Sequence, residues 1–254
     1  QKEEKQEQTS IEQITIGTTS AVEKAVREEY NYDMLASGTA EIPLVYQDTE
    51  GQYHPLMASW ETEDSLTWTY TIEDGMKWSD GQAVTAEDIL YTLQYADEHG
   101  SANFTDQTDS EGKTTTAKYS SYTLSDDKQS ISLTLAKPNV RELSNMTSFR
   151  VMPKHIYDGK ESVTEDEMRV GCGPYKFQEF NKEAGTITFI QDENYPEKPH
   201  VEKVVYKMFG NEDTMYMALQ NGDIDMVWNY SQGVTASYQS VLAEDERITL
   251  ENVP

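Results

Sequence analysis

The sequence predicts a mixed α/β protein in which helices pack on sheets, and three observations carry that prediction. Segments with strand and helix character alternate through the last third of the chain, from Tyr175 to Leu250. Leu66 to Ile72 alternates strictly, with Leu66, Trp68, Tyr70 and Ile72 on one face and Thr67, Thr69 and Thr71 on the other. Thr85-Ala86-Glu87-Asp88 then opens a helix whose apolar stripe is Ile89, Leu90, Leu93 and Ala96. The Thr85 hydroxyl is expected to accept from a first-turn N–H, and Glu87 and Asp88 complement the positive end of the helix.

The elements follow in order. Residues 1–10, QKEEKQEQTS, are charged and glutamine-rich and read as a disordered tail. Gln13 to Thr19 is alternating and β-branched, a strand. Glu23 to Leu35 has irregular helical spacing, and Ile42 to Tyr46 reads as a strand. Glu73-Asp74-Gly75 and Ser79-Asp80-Gly81 are turns. Residues 100–118 are polar and read as an exposed loop. Tyr122–Leu124 and Ile131–Leu135 flank Ser125 to Gln129 as a hairpin. Short helices are expected around Val140 to Met146 and from Met152, with Pro153 in the first turn of the second.

Beyond Gly171-Cys172-Gly173-Pro174, three strands are expected at Tyr175–Phe180, Thr186–Gln191 and Val201–Phe209. Asn211-Glu212-Asp213 starts a helix that Asn221-Gly222 stops. Ile224, Met226 and Trp228 mark a short strand, Thr235 to Ala243 a helix, and Arg247 to Leu250 a last strand.

Charge excludes some partners. The chain has 46 acidic against 20 basic residues, a net charge of -26, which repels phosphate backbones and anionic headgroups, so nucleic acid is not expected. The acidity is read mainly as a solubility device, with a preference for cationic ligands as the alternative. Cys172 is the single cysteine, so no intrachain disulfide can form. No run approaches the roughly 18–20 apolar residues that span a bilayer.

Several groups invite a chemical reading. Asp223 and Asp225, two apart on a strand, would share a face and suit a hydrolase dyad or a cation site; a strand entered from a turn explains them equally. His54, His99, His155 and His200 are scattered singly, without metal-site spacing, so no metal or other cofactor is expected. Residues 107–112 lack the first and closing ligands of a calcium loop. Cys172, between glycines with no base beside it, reads as a small packed residue. Trp228-Asn229-Tyr230 lies just past a strand end, where α/β sheets present ligand contacts; an indole and a phenol flanking an amide suit a peptide-like ligand.

Several motifs in series resemble one family. They are Ile14-Thr15-Ile16-Gly17, Pro55 to Glu61 (PLMASWE), Gly75 to Gly81 (GMKWSDG), Thr85 to Asp88 (TAED), Met152 to His155 (MPKH), Gly171 to Tyr175 (GCGPY) and Leu219 to Asp225 (LQNGDID). In this order they are similar to the peptide-binding, family 5 extracellular solute-binding proteins of ABC transporters. The resemblance implies a periplasmic-binding-protein-like lobe carrying an inserted second α/β domain. The first domain would take residues 11–37 and 168–254, and the inserted domain residues 38–167. Asp223-Ile224-Asp225 then reads as architecture, and Cys172 stands where Thr or Ser is usual. Thr19 to Lys24 replaces the family's Leu-Asp-Pro, a departure beside the expected ligand.

The resemblance also implies a function. Such a receptor captures a peptide outside the cytoplasmic membrane, as a monomer, and delivers it to a membrane permease without catalysis. It would be periplasmic or lipid-anchored to the outer face of that membrane, with residues 1–10 as spacer. Thr19, Ser20 and Ala21 after the first strand, and Trp228, Asn229 and Tyr230, would line the cleft. Family members look about twice as long, so the chain is expected to be an N-terminal piece that lacks the opposite lobe and holds ligand weakly alone. An oligosaccharide or a nickel chelate as ligand, or a hydrolase using Asp223 and Asp225, are the alternatives.

Overall fold

A computed structural model of the chain describes residues 10–20, 26, 38–98, 107–108, 114–116, 118–228 and 234–251. In chain order the first elements are β1 (Ile14–Thr18), β2 (Val45–Gln47), β3 (Tyr53–Pro55), β4 (Ala58–Glu61), β5 (Thr67–Ile72) and α1 (Ala86–Glu98). There follow β6 (Gln107–Thr108), β7 (Thr114–Thr116), β8 (Tyr119–Leu124), β9 (Ser130–Leu135), α2 (Glu142–Met146), α3 (Lys154–Tyr157) and α4 (Glu165–Met168). The last are β10 (Tyr175–Asn181), β11 (Thr186–Gln191), β12 (Lys203–Met208), α5 (Glu212–Asn221), β13 (Met226–Val227) and α6 (Ala236–Ala243). The mixed α/β class is as expected. Contacts among the described residues cluster into two units, one within residues 1–25, 174–193 and 197–254, the other within 26–173 and 194–196.

The first unit is built on a sheet of order β10-β11-β12-β1-β13. The β10-β11-β12 meander is antiparallel, while β1 runs parallel to both β12 and β13. Helix α5 connects β12 to β13 and packs on β1, where Gly17 makes room: a Cβ there would lie 2.5 Å from Ile224 Cδ1 and 3.0 Å from Met215 Cγ. Asn211 caps α5 by accepting from the Thr214 N–H at 2.9 Å. At the other end Gly222, at φ 76°, donates to Leu219 O and Asp223 N–H donates to Ala218 O, so the last carbonyls are satisfied.

The second unit centres on a sheet of order β4-β5-β9-β8, all antiparallel. The alternation of β5 is realised as expected: Trp68, Tyr70 and Ile72 are buried with Ile131, Leu133 and Leu135 of β9. On the opposite face Thr69 and Thr71 meet Ser132 and Ser130 hydroxyl to hydroxyl at 2.8 and 2.9 Å. Helix α1 adds Ile89 and Leu93 to that core. Its first turn differs from expectation, because the better acceptor is the Asp88 carboxylate: Asp88 Oδ2 takes the Thr85 N–H at 2.8 Å and its hydroxyl at 3.3 Å. Asp88 Oδ1 also accepts from Lys154 N–H, and Thr92 Oγ1 from Met152 N–H, both at 2.8 Å, so α1 is stapled to residues 152–154.

Gly171 and Gly173 allow a close backbone approach, since their Cβ atoms would lie 2.1 Å from Ala40 O and 2.4 Å from Thr39 O. Gly173 N–H donates to Ala40 O at 2.8 Å, and Cys172 between them is buried, the small packed residue expected. Other expectations need correcting. Arg247 to Leu250 is not a strand: Ile248 N–H donates to Asp245 O and the Arg247 side chain folds onto Asp245, a turn. β13 is only Met226–Val227, since Asp223 N–H is spent on Ala218 O at the end of α5 and Asp225 meets Thr15 with its carboxylate as well as its N–H. The expected loop at 100–118 includes β6 and β7, an antiparallel pair, and the helix expected over 23–35 lies outside the described residues apart from Val26.

Candidate functional site

Parallel pairing sets the carboxyl ends of three strands side by side, because β1 lies between β12 and β13 with Gly17 opposite both Lys207 and Val227. Each exit is pinned. Phe209 N–H donates to Thr18 O at 2.8 Å, and Trp228 N–H donates to Gly17 O at 2.9 Å. Thr18 is fully buried, and its Oγ1 accepts from the Ser20 N–H at 3.1 Å, turning the chain as it leaves β1. Thr19, Ser20 and Trp228, all partly exposed, therefore leave neighbouring strands at the same edge of the sheet. Ala21, Asn229 and Tyr230 lie outside the described residues. An edge of this kind offers backbone groups and hydroxyls next to an indole, the mixture that holds amide-bearing ligands.

Asp223 and Asp225 do not form a strand-borne pair. Asp225 Oδ2 accepts from the Thr15 N–H at 2.7 Å while Asp225 N–H donates to Thr15 O, so the carboxylate extends the β1–β13 ladder. Asp223 spends its N–H on the end of α5. Both have structural work. Among the described residues no group of three or more His, Cys, Asp and Glu is placed to hold a metal ion, and no helix is long and apolar enough to cross a membrane. His54 pairs with Asp48 at 2.6 Å and His155 with Asp80 at 2.7 Å.

A buried polar cluster escaped the sequence reading. Glu142, fully buried, accepts from Tyr119 Oη at 2.6 Å, from Asn145 Nδ2 at 2.9 Å and from Asn139 Nδ2 at 3.3 Å, with Lys118 Nζ 3.9 Å away. Burial, with the Glu142 charge behind it, pushes the Tyr119 hydroxyl well above its ordinary range. Burial lowers the Lys118 ammonium, against the pull of Glu142. These residues are scattered over 28 positions of sequence with no shared period, so only the fold brings them together.

This fold and these motifs define a class. The chain belongs to the bacterial extracellular solute-binding proteins, family 5, whose middle-region model matches residues 52–251. It is 27% identical over 203 residues to the nickel-binding periplasmic protein of Escherichia coli, covering 77% of this chain and 37% of that one. It is 29% identical over 196 residues to the dipeptide-binding protein DppE of Bacillus subtilis, covering 68% of this chain and 34% of that protein. The chain thus spans well under half the length of these relatives. Among solved structures, NikZ of Campylobacter jejuni in complex with Ni(L-His) matches with TM-score 0.70 at 21% identity, over 92% of this chain and 45% of that one. The murein tripeptide-binding protein MppA matches with TM-score 0.71 at 17% identity, over 94% and 49%. These structures share the periplasmic-binding-protein fold.

Proposed function

We propose that the chain is part of an extracytoplasmic receptor that captures peptides and delivers them to the permease of an ABC import system, with no catalysis of its own. The observation that supports it most is the shared edge at the carboxyl ends of β1, β12 and β13, where Thr19, Ser20 and Trp228 emerge in a chain of this family. Thr19, Ser20 and Ala21 would pair with ligand backbone, and Trp228, Asn229 and Tyr230 would add aromatic wall and an amide. In this reading residues 38–167 are the inserted domain, residues 11–37 and 168–254 belong to the first, and a second lobe would close over the ligand in a hinge motion biased by contacts to both. The receptor would act as a monomer, periplasmic or lipid-anchored. A dipeptide-binding relative and a murein tripeptide-binding structure favour a peptide.

The second reading, a nickel chelate as cargo, rests on the nickel-binding relative and the Ni(L-His) complex. Native mass spectrometry of the complete protein purified without denaturation separates them: a co-purifying peptide series supports the first, a nickel-bearing mass the second. Trp228→Ala is expected to weaken peptide binding by about 2 kcal/mol in calorimetric titration, as truncation of an aromatic anchor does. Unchanged affinity would remove Trp228 from the site. Asp223→Asn with Asp225→Asn is expected to leave no turnover to lose on peptides or glycosides; a hydrolysis that vanishes with the pair would establish an enzyme instead.

A further inference from the structure

Helix α1 has a second face. Opposite its buried stripe, Tyr91, Gln94, Tyr95 and Glu98 recur at i, i+3, i+4 and i+7 and line a cleft of about 580 Å³, closed on the other side by residues 157–163 and Met168. That volume falls within the range of small-molecule clefts, about 300–1,000 Å³. The staple from Asp88 and Thr92 to residues 152–154 holds the facing segment in place.

The lining is aromatic and negative. Tyr91 and Tyr95 have ring centroids 6.1 Å apart, and Tyr157 contributes a third ring from the opposite wall. Glu98, Asp158 and Glu161 add three carboxylates, while Lys160, the only lining cation among the described residues, is paired with Glu167 at 2.7 Å. Among the described residues the last turn of α1 carries no basic residue. Burial, then the Asp158 charge, pushes the Tyr91 hydroxyl up to about 12, so the ring stays a neutral phenol.

We propose that this cleft binds a small organic cation, a guanidinium or alkylammonium, with tyrosine faces against the cation and Glu98, Asp158 and Glu161 balancing its charge. Tyrosine faces attract such groups through their quadrupole, and the carboxylates supply the matching charge. Every lining residue belongs to the unit of residues 26–173 and 194–196, whereas Thr19, Ser20 and Trp228 belong to the other, so the site goes beyond the receptor reading.

The test titrates the chain, with isotope-labelled tyrosine and tryptophan rings, with tetramethylammonium, arginine amide and its neutral isostere citrulline amide, the last two acetylated on the α-amino group, followed by NMR. Both cations are expected to shift the rings of Tyr91, Tyr95 and Tyr157 saturably at millimolar concentration, and citrulline amide is not. Tyr95→Leu is expected to weaken arginine amide about two- to fivefold, with Tyr95→Phe restoring it because the ring face remains. Glu98→Gln with Asp158→Asn, both at exposed positions, keeps the thermal midpoint and weakens both cations. No saturable shift, an equal response to citrulline amide, or shifts confined to the Trp228 indole would each overturn the proposal. The last outcome would assign the cation to the strand-edge site instead.

Discussion

Gly17 and Gly171 are both crowded, yet by different kinds of neighbour, and this separates their tolerance. A Cβ at Gly171 would strike the Ala40 carbonyl, which is backbone and cannot swing aside. At Gly17 the first obstacle is the tip of Ile224, a side chain with other rotamers. Gly171→Ala is therefore expected to destabilise the chain by about 3 kcal/mol and Gly17→Ala by about 1 kcal/mol, read by urea denaturation. Equal costs would mean that the seam at Ala40 relaxes freely. Glu142 makes a second case. Removing it leaves the Tyr119 hydroxyl and two asparagine amides without their acceptor, so Glu142→Ala is expected to cost about 3–5 kcal/mol.

Among the elements, α4 shows a complete capping box: Thr164 Oγ1 accepts from Glu167 N–H, and the Glu167 carboxylate accepts from Thr164 N–H. The Lys160 ammonium first, then the Thr164 N–H and hydroxyl, hold the Glu167 carboxyl down to about 2 from an ordinary 4.5. A depressed carboxylate stabilises the fold fully above its ordinary value and loses that contribution as pH falls from there through about 2. In an NMR pH titration, Thr164→Ala is expected to return the Glu167 midpoint part of the way toward 4.5. For α5, Gly222→Ala is expected to cost about 1–2 kcal/mol because φ 76° is left-handed.

The elements also show what could be read in advance. β5 and α1 were legible because each has two unlike faces, and period two and period 3.6 report such faces directly. β4, four residues reading Ala-Ser-Trp-Glu, carries too few positions to show a period. Arg247 to Leu250 has strand-like composition, but the Asp245 carboxylate captures the Arg247 N–H and guanidinium and curls the segment instead. At the candidate site, the place of Trp228 followed from turn and strand signals, whereas its anchoring to Gly17 needed the sheet order. The tyrosine face of α1 is present as spacing, yet the apolar stripe opposite it is the stronger signal of that helix.

For the whole molecule, a net charge of -26 over 254 residues means that folding gathers many like charges. Sodium chloride is expected to raise the thermal midpoint, steeply up to about 0.1–0.15 M, where the screening length falls to about 8–10 Å, and little beyond. A midpoint independent of salt would mean that local pairing already offsets the repulsion.

The seam that holds Cys172 has a practical consequence. The chain's one thiol sits nearly sealed from solvent, against backbone that permits no side chain on either flanking residue. A thiol reagent can reach it only when that seam parts, so its labelling rate is a clock for local opening, with no second sulfhydryl among these 254 residues to confuse the signal.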